Sequence, residues 1–256
     1  MNIRGYSLFL ACIAGAWILG ACHTERDGEA LIVLTSADNP PFESYDTASE
    51  SFVGFDIELA QNIAQVLKKK LVIRDMQFDF LLPALKTGRG DVVIAGLSPS
   101  PARSMIVDFS DPYEVAPIYI VTPKQSKYNG TTLEGMRMGA QQGSTFEDYL
   151  KISQKKAATA ADKNGEGFLT IHALPKLGDV IQELKNGRID GALMEKKTAE
   201  AYAEGGHLQI FPLAGAASTL TIATRKNSYC SIKINEALSL LRRNGTLDRL
   251  KQKWLL

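Results

Sequence analysis

Between Ala95 and Ser104 the chain reads AGLSPSPARS, and from Gln141 to Asp148 it reads QQGSTFED. Loops of this composition expose backbone N–H groups and hydroxyls. Arg103 lies at the end of the first, and a guanidinium fork matches a carboxylate through two parallel hydrogen bonds. The second runs into a predicted helix start, where unpaired N–H groups and the helix dipole favour an anion. Taken singly, each loop also has the composition of a turn with a helix cap, and Arg103 that of a solvated arginine. Two anion-friendly loops in separate parts of one chain point instead to a small ligand bearing a carboxylate. Chemistry of other kinds has no matching pattern. The chain carries no G-x-x-x-x-G-K-[ST] phosphate loop, no G-x-G-x-x-G and no G-x-S-x-G elbow. Its three histidines, His23, His172 and His207, lie far apart without metal-ligand spacing. A binding function without turnover, metal or cofactor is the expectation.

The elements around these loops read as an α/β chain. LIVLTSA (31–37) is a predicted strand, and GFDIELAQNIAQVLKKK places Ile57, Ala60, Ile63, Ala64 and Leu67 at helical spacing, with Asp56 as cap or first-turn acid. LVIRDM is a strand, FLLPALKTG a helix stopped at Gly88, and DVVIAGL a continuous apolar strand of the kind buried in parallel sheets. The alternation then restarts. RMGAQQ, FLTIHAL, DGALM, HLQIFPL and STLTIATRK read as strands, STFEDYLKIS as a helix capped by Ser144 or Thr145, and LGDVIQELKNG as another helix. The last stretch, from Ile232, reads as two helices broken at Asn244-Gly245. Residues 85–96, LKTGRGDVVIAG, echo residues 184–195, LKNGRIDGALME. Each is a helix end, a glycine stop, a basic residue and an acid that enters an apolar strand, which suggests two lobes built on one plan. Ligands of parallel α/β sheets bind beyond the carboxyl ends of the strands. Here those ends are Gly96 to Ser98 in one lobe and Glu195 in the other.

Composition agrees with a globular chain. Hydrophobic residues make up 45% of 256, and 29 Lys and Arg balance 28 Asp and Glu for a net charge of +1, without the basic stripe of a nucleic-acid binder. The N-terminus stands apart. Arg4 precedes the apolar YSLFLACIAGAWILGAC, which matches a secretory signal and is short for a membrane span. Leu19-Gly20-Ala21-Cys22 resembles a bacterial lipobox, which implies a leader at 1–21, a lipid on Cys22 and an extracytoplasmic location at a bacterial membrane. Cys12 would leave with the leader, so of three cysteines only Cys230 remains in the fold and no internal disulfide is expected.

Read in order, NPPFES, GFDIELAQNIAQ, QFDFLLPALKTGRGDVVIAGLSPSPAR, VDFSDPYE, GAQQGSTFEDYL and GRIDGALME resemble the solute-binding proteins of amino-acid ABC importers, the type II periplasmic binding proteins, from about Leu31 to Trp254. The resemblance implies a two-lobe α/β fold, each lobe a mainly parallel sheet flanked by helices. It places lobe 1 at residues 22–116 plus 219–256 and lobe 2 at 117–218, with hinge strands near Pro117–Val121 and Leu213–Thr219. It also implies roles. Arg103 clamps the ligand α-carboxylate, Ser98 offers a backbone N–H and a hydroxyl, and Gly96 turns its carbonyl to the α-ammonium. Ser144 and Thr145 hold the carboxylate from the second lobe, Phe78 packs on the ligand side chain, and Glu195 takes the α-ammonium. Two departures stand out: Asn39 replaces a usual Tyr or Phe wall, and Glu195 is longer than the usual Asp. Glu43 and Asp38, with Asn39 as polar partner, are acids for the distal end of a basic ligand, so arginine or another basic amino acid is expected, with glutamine or another polar amino acid as the alternative. An enzyme resembling cyclohexadienyl dehydratase on the same fold is the more distant alternative. The implied partner is a membrane permease, and the protein is expected to be a lipid-anchored monomer.

Overall fold

A computed structural model describes residues 29–128, 130–160 and 169–256, the side chains of 157–160 excepted. The predicted leader at 1–21 and the lipidation position Cys22 lie outside these residues. In chain order the first half holds β1 (Ala30–Thr35), β2 (Asp38–Asn39), β3 (Glu43–Asp46), β4 (Ser51–Val53), α1 (Phe55–Val66), β5 (Lys70–Asp75), a 3₁₀ turn at Phe78–Phe80, α2 (Leu81–Lys86), β6 (Val92–Val93), α3 (Pro101–Ser104) and β7 (Val107–Phe109). There follow β8 (Glu114–Pro123), β9 (Arg137–Gln141), α4 (Thr145–Ala160), β10 (Thr170–Leu174), α5 (Leu177–Lys185), β11 (Gly191–Glu195), α6 (Lys196–Ala203) and β12 (Leu208–Leu220), then β13 (Ala223–Arg225), α7 (Tyr229–Arg243) and α8 (Thr246–Trp254).

Two five-stranded sheets result, β5-β1-β6-β13-β7 and β10-β9-β11-β8-β12. In each, one strand opposes the rest: β13 runs antiparallel to β6 and β7, and β8 antiparallel to β11 and β12. The expected architecture, two mainly parallel sheets between helices, is therefore present. Period-two alternation feeds both faces of each sheet. In β1, Leu31 and Val33 pack with Leu59 and Ile63 of α1 and Leu238 of α7, whereas Leu34 packs with Leu81 and Leu85 of α2 on the opposite face. In the second sheet Ala192 and Met194 face α5, and Leu193 faces Leu150 of α4. Strands buried on both faces read as continuous apolar runs, which is why VVIA and ALM carry no alternation in sequence.

The sequence echo has a structural cause. Gly88 and Gly187 sit at φ +75° and +68°, ending α2 and α5. After each glycine the acid reaches the neighbouring strand. Asp91 Oδ2 accepts from Ile32 N at 2.8 Å, and Asp190 Oδ2 accepts from Arg137 N at 2.8 Å. The matching backbone bonds, Asp91 N to Ile32 O at 2.8 Å and Asp190 N to Arg137 O at 2.7 Å, close the same ring in both halves. Each acid satisfies a strand-end N–H and so sets the register of the central strand against its neighbour.

Between the sheets run β8 and β12, paired antiparallel from Leu208↔Pro123 to Leu220↔Glu114 with a register shift between Pro212 and Ala217. The corner NPPF at 39–42 joins β2 to β3 in a separate three-stranded sheet, β2-β3-β4, and contains a cis Pro40–Pro41 bond. Phe42 is buried and meets Phe55 edge-on, 6.3 Å between centroids. The backbone beneath it leaves no room. Phe55 N and Asp56 N donate to Pro41 O and Phe42 O at 2.9 and 2.8 Å. Gly54 sits at φ +129°, where an added Cβ would lie 2.3 Å from Phe42 O. Gly54→Ala combines a disfavoured φ with a backbone clash, and we expect it to destabilise the fold by about 3 kcal/mol or more. Gly135→Ala, at φ +71° with nothing within 4 Å of the added Cβ, should cost only about 1 kcal/mol. Urea melts of both variants measure the difference.

Candidate functional site

The carboxyl ends of the central strands face each other across a cavity. Its lining includes nine of the ten residues singled out from the sequence, Asn39, Glu43, Phe78, Gly96, Ser98, Arg103, Ser144, Thr145 and Glu195, and not the tenth, Asp38. Residues missed by sequence reasoning border it too, among them Gln141, Phe146 and Leu177.

Arg103 is set by the start of α3. Ser100 caps this short helix, accepting from Arg103 N at 3.3 Å, with Pro101 at its first position. The guanidinium donates to Ser98 O at 2.5 Å and, across to the second half, to Gly143 O at 2.8 Å. It lies 5.6 Å from the Phe78 ring centroid. Burial brings its pKa down to about 10. Among the described residues it forms no salt bridge within 4 Å; Asp148 acts on it only at longer range, so the guanidinium is free to pair with an anion. The facing loop adds donors at the start of α4. Ser144 caps α4, its Oγ accepting from Glu147 N at 3.2 Å, while Glu147 Oε2 accepts from Gly143 N at 2.7 Å. Gly143 sits at φ +74° and lies close to the 3₁₀ turn: an added Cβ would stand 3.0 Å from Asp79 Cβ.

The other end of the cavity is acidic. Glu43 and Glu195 are 1% and 5% exposed, and Asp56 lies wholly buried behind Glu43. Asp56 Oδ2 accepts from Gly96 N at 2.9 Å and Tyr113 Oη at 2.8 Å, which fixes the loop that carries Gly96. Sequence placed Asp56 as a cap or first-turn acid; it is a first-turn acid, and its side chain turns inward. Asn39 Nδ2 donates to Glu43 Oε1 at 3.5 Å. Burial, then repulsion from Asp56 and Asp38, raises the Glu43 pKa well above the usual carboxylate range. Asp56 is pushed up to about 6, with burial the main cause. Glu195 is pushed up to about 7, again chiefly by burial, partly offset by a hydrogen bond with Ser218. Asp56 Oδ1 and Glu43 Oε2 lack any hydrogen-bond donor when both groups are ionised. A proton kept on Glu43 relieves this, because it donates to Asp56. Anion-seeking charge at one end and cation-seeking charge at the other describe a receptor for a small zwitterion with an extra positive group.

Two other residues differ from expectation in their use. Asn39 does border the cavity, but its Oδ1 accepts from Thr198 Oγ1 of α6 at 2.7 Å, so it also ties the halves together. Asp38, read as an acid for the ligand's distal end, is not among the lining residues and turns toward α5. Apolar wall that an aromatic at 39 would supply comes from Phe146 and Leu177 of the second half.

This architecture and this cavity belong to the class of two-lobed binding proteins. The chain is a member of the bacterial extracellular solute-binding proteins, family 3, whose model matches residues 31–256. It is 36% identical to the arginine-binding extracellular protein ArtP of Bacillus subtilis, over 96% of this chain and 95% of that one. It is 28% identical to the ABC transporter arginine-binding protein 1 of Escherichia coli, over 96% and 98%. An ancestral arginine-binding protein bound to arginine superposes with a TM-score of 0.79 at 35% identity, covering 89% of this chain and 98% of that one. The same comparison gives 0.78 for an ancestral arginine-binding protein bound to glutamine, also at 35% identity and covering 89% and 98%. The relatives named here are transport and binding proteins. Among the described residues, no helix is long and apolar enough to cross a membrane.

The acid cluster has a consequence for stability. Glu195 titrates at 4.5 in its ordinary state and near 7 in the fold. A raised carboxylate pKa means the fold binds more protons than the unfolded chain between those values. The stabilisation is complete below 4.5 and is lost as pH rises through about 7. Between about pH 5 and about 7.5 the melting temperature of the ligand-free wild type should therefore decline relative to that of Glu195→Gln. Calorimetric scans of both proteins test this; parallel pH profiles would contradict it.

Proposed function

We propose that this protein is the receptor of an amino-acid importer and that its ligand is L-arginine. The observation that carries this reading is the pairing of Arg103, which has no salt bridge within 4 Å among the described residues, at one end of the cavity, with Glu43, Asp56 and Glu195 clustered at the other. Arginine carries one anionic and two cationic groups, in the same polarity. Its carboxylate meets Arg103, Ser98, Ser144 and Thr145, and its α-ammonium meets Glu195 and the Gly96 carbonyl. Its guanidinium meets Glu43 beside Asn39 and stacks on Phe78. A ligand cation supplies the charge that the buried carboxylates lack, which lowers the cost of ionising them. The names of the relatives, which specify arginine, support the reading, and the arginine-bound neighbour supports it further. The glutamine-bound neighbour favours glutamine as a second ligand, because an amide also hydrogen-bonds a carboxyl that keeps its proton.

We place lobe 1 at residues 22–116 plus 219–256 and lobe 2 at 117–218, with hinges near Pro117–Val121 and Leu213–Thr219. The crossing of β8 and β12 between the sheets supports this division. Ligand contacts made by both lobes favour the closed arrangement over an open one. The loaded form then docks on a membrane permease. A lipid on Cys22 holds a monomer at the outer face of a bacterial membrane, a reading supported by LGAC at 19–22. The protein turns nothing over.

A thermal-shift screen of the twenty amino acids with ornithine and citrulline tests the ligand. Arginine at 100 times its dissociation constant should stabilise by about 2.7 kcal/mol, and no response to any basic amino acid would overturn the assignment. Arg103→Ala should weaken arginine binding about 100-fold or more in calorimetry, because it removes charge-assisted bonds worth about 3 kcal/mol. Unchanged affinity would remove Arg103 from the carboxylate clamp. Glu43→Gln should weaken arginine by roughly tenfold more than glutamine, since only the guanidinium needs the charge; equal losses would take Glu43 out of the side-chain pocket.

A further inference from the structure

Helix α5 begins without a cap of its own. Its N-cap position is Lys176, whose side chain accepts no hydrogen bond, and four N–H groups at a helix start need acceptors from elsewhere. One acceptor comes from the other half of the molecule. Asp38 Oδ2 accepts from Leu177 N at 2.7 Å. Its second oxygen, Oδ1, takes bonds from Ser36 Oγ at 3.2 Å and from Gln141 Nε2 at 3.4 Å, and its backbone carbonyl accepts from Tyr202 Oη of α6 at 2.8 Å. Residue 38 thus meets β9, α5 and α6 of the second half from the end of β2. It does so from behind the cavity wall: its partners Gln141 and Leu177 border the cavity and Asp38 does not.

We propose that Asp38 is a latch: it completes the N-cap of α5 only when the halves are together, and so lengthens the life of the closed, loaded receptor without touching the ligand. Aspartate in a cap accepts from the first-turn N–H groups and favours the positive end of the helix dipole. Here the capping residue lies 139 positions from its helix, so opening the cleft breaks the cap, and closing restores it. The bond also fixes the hairpin. Asp38 and Asn39 form β2, which pairs with β3, and β3 begins at Glu43. The latch therefore holds an acid of the cavity in place as well as the lid. Asp38 is a positioning residue by this account, and its effect falls on dissociation.

The inference rests on the two-lobe closure proposed above, and its test separates the two. Asp38→Ala and Asp38→Asn are compared with wild type for arginine dissociation in stopped-flow, for affinity in calorimetry, and for the ligand-free radius of gyration in X-ray scattering. Loss of a cap translates to about tenfold in the closing equilibrium. Asp38→Ala should therefore raise the dissociation rate about tenfold with the association rate unchanged. Asp38→Asn, which keeps an acceptor and is as good a cap, should stay within about twofold. Equal losses in both variants, or a dissociation rate unmoved in Asp38→Ala, would overturn the latch. Wild type that fails to bind arginine would defeat the proposed ligand instead. The latch would then stand or fall on scattering, with Asp38→Ala expected to be more extended than wild type and Asp38→Asn not, and equal radii overturning it. Should Asp38→Ala fail to fold, Tyr202→Phe serves in its place. It deletes the hydroxyl that bonds the Asp38 carbonyl from α6 and should also speed dissociation; an unchanged rate there counts against the proposal.

Discussion

Three carboxylates share a space that water scarcely enters, and much of the site follows from that. Like charges brought together out of water repel strongly and lose their hydration. A fold carrying such a group must hold it by other means. Asp56 is held by Gly96 N and Tyr113 Oη, Glu43 by Asn39 and by a proton shared with Asp56, and Glu195 by Ser218. The bond from Gly96 to Asp56 keeps the turn after β6 in its left-handed conformation, φ +54°, and that turn leads through Ser98 to Arg103. Acid and base at opposite ends of the cavity are thus connected through one loop. In the receptor proposed above, a cationic ligand would offset the repulsion among these acids.

Local motifs disclosed their share of this in the sequence. Arg103 was legible because a Pro-Ser cap and a Gly-Ser loop announce a short helix at the end of a buried strand. The repeated L-K-x-G-R-x-D was legible because a glycine at positive φ and an acid bonded to the next strand are chain-local requirements, met identically by Asp91 and Asp190. Nine of the ten residues named for the site border one cavity, because strand ends converge in a parallel sheet whatever their separation along the chain. Boundaries were less legible. DVVIAGL reads as one long strand, yet only Val92 and Val93 pair as β6, because Gly96 turns the backbone toward Asp56.

What stayed hidden depends on how the halves meet. Phe146 and Leu177 look like ordinary core residues on helices, and nothing in their spacing says that the opposite half stops short of them. Thr198 and Tyr202 lie on α6 (Lys196–Ala203), a segment that the sequence reading did not place. Their hydroxyls reach Asn39 Oδ1 and Asp38 O, contacts 159 and 164 residues apart in the chain. The replacement of an aromatic by Asn39 is intelligible only beside Thr198: a stacking wall has been exchanged for a hydrogen bond between lobes. Asp38 was read as an acid for the distal end of the ligand, yet its carboxylate turns to Leu177 N, Ser36 and Gln141, since sequence gives proximity to Glu43 but not direction.

Gly143 shows how little material separates the two halves of this fold. Its missing side chain is the gap into which Asp79 settles, 3.0 Å from where a methyl carbon would be. A methyl group here would strain the backbone at φ +74° and press Asp79 back by a few tenths of an ångström. That displacement falls directly on the bond from Arg103 to the Gly143 carbonyl and on the one from Gly143 N to Glu147. The fit between the two sheets and the posture of the guanidinium therefore share one hydrogen atom, and neither can be loosened without the other.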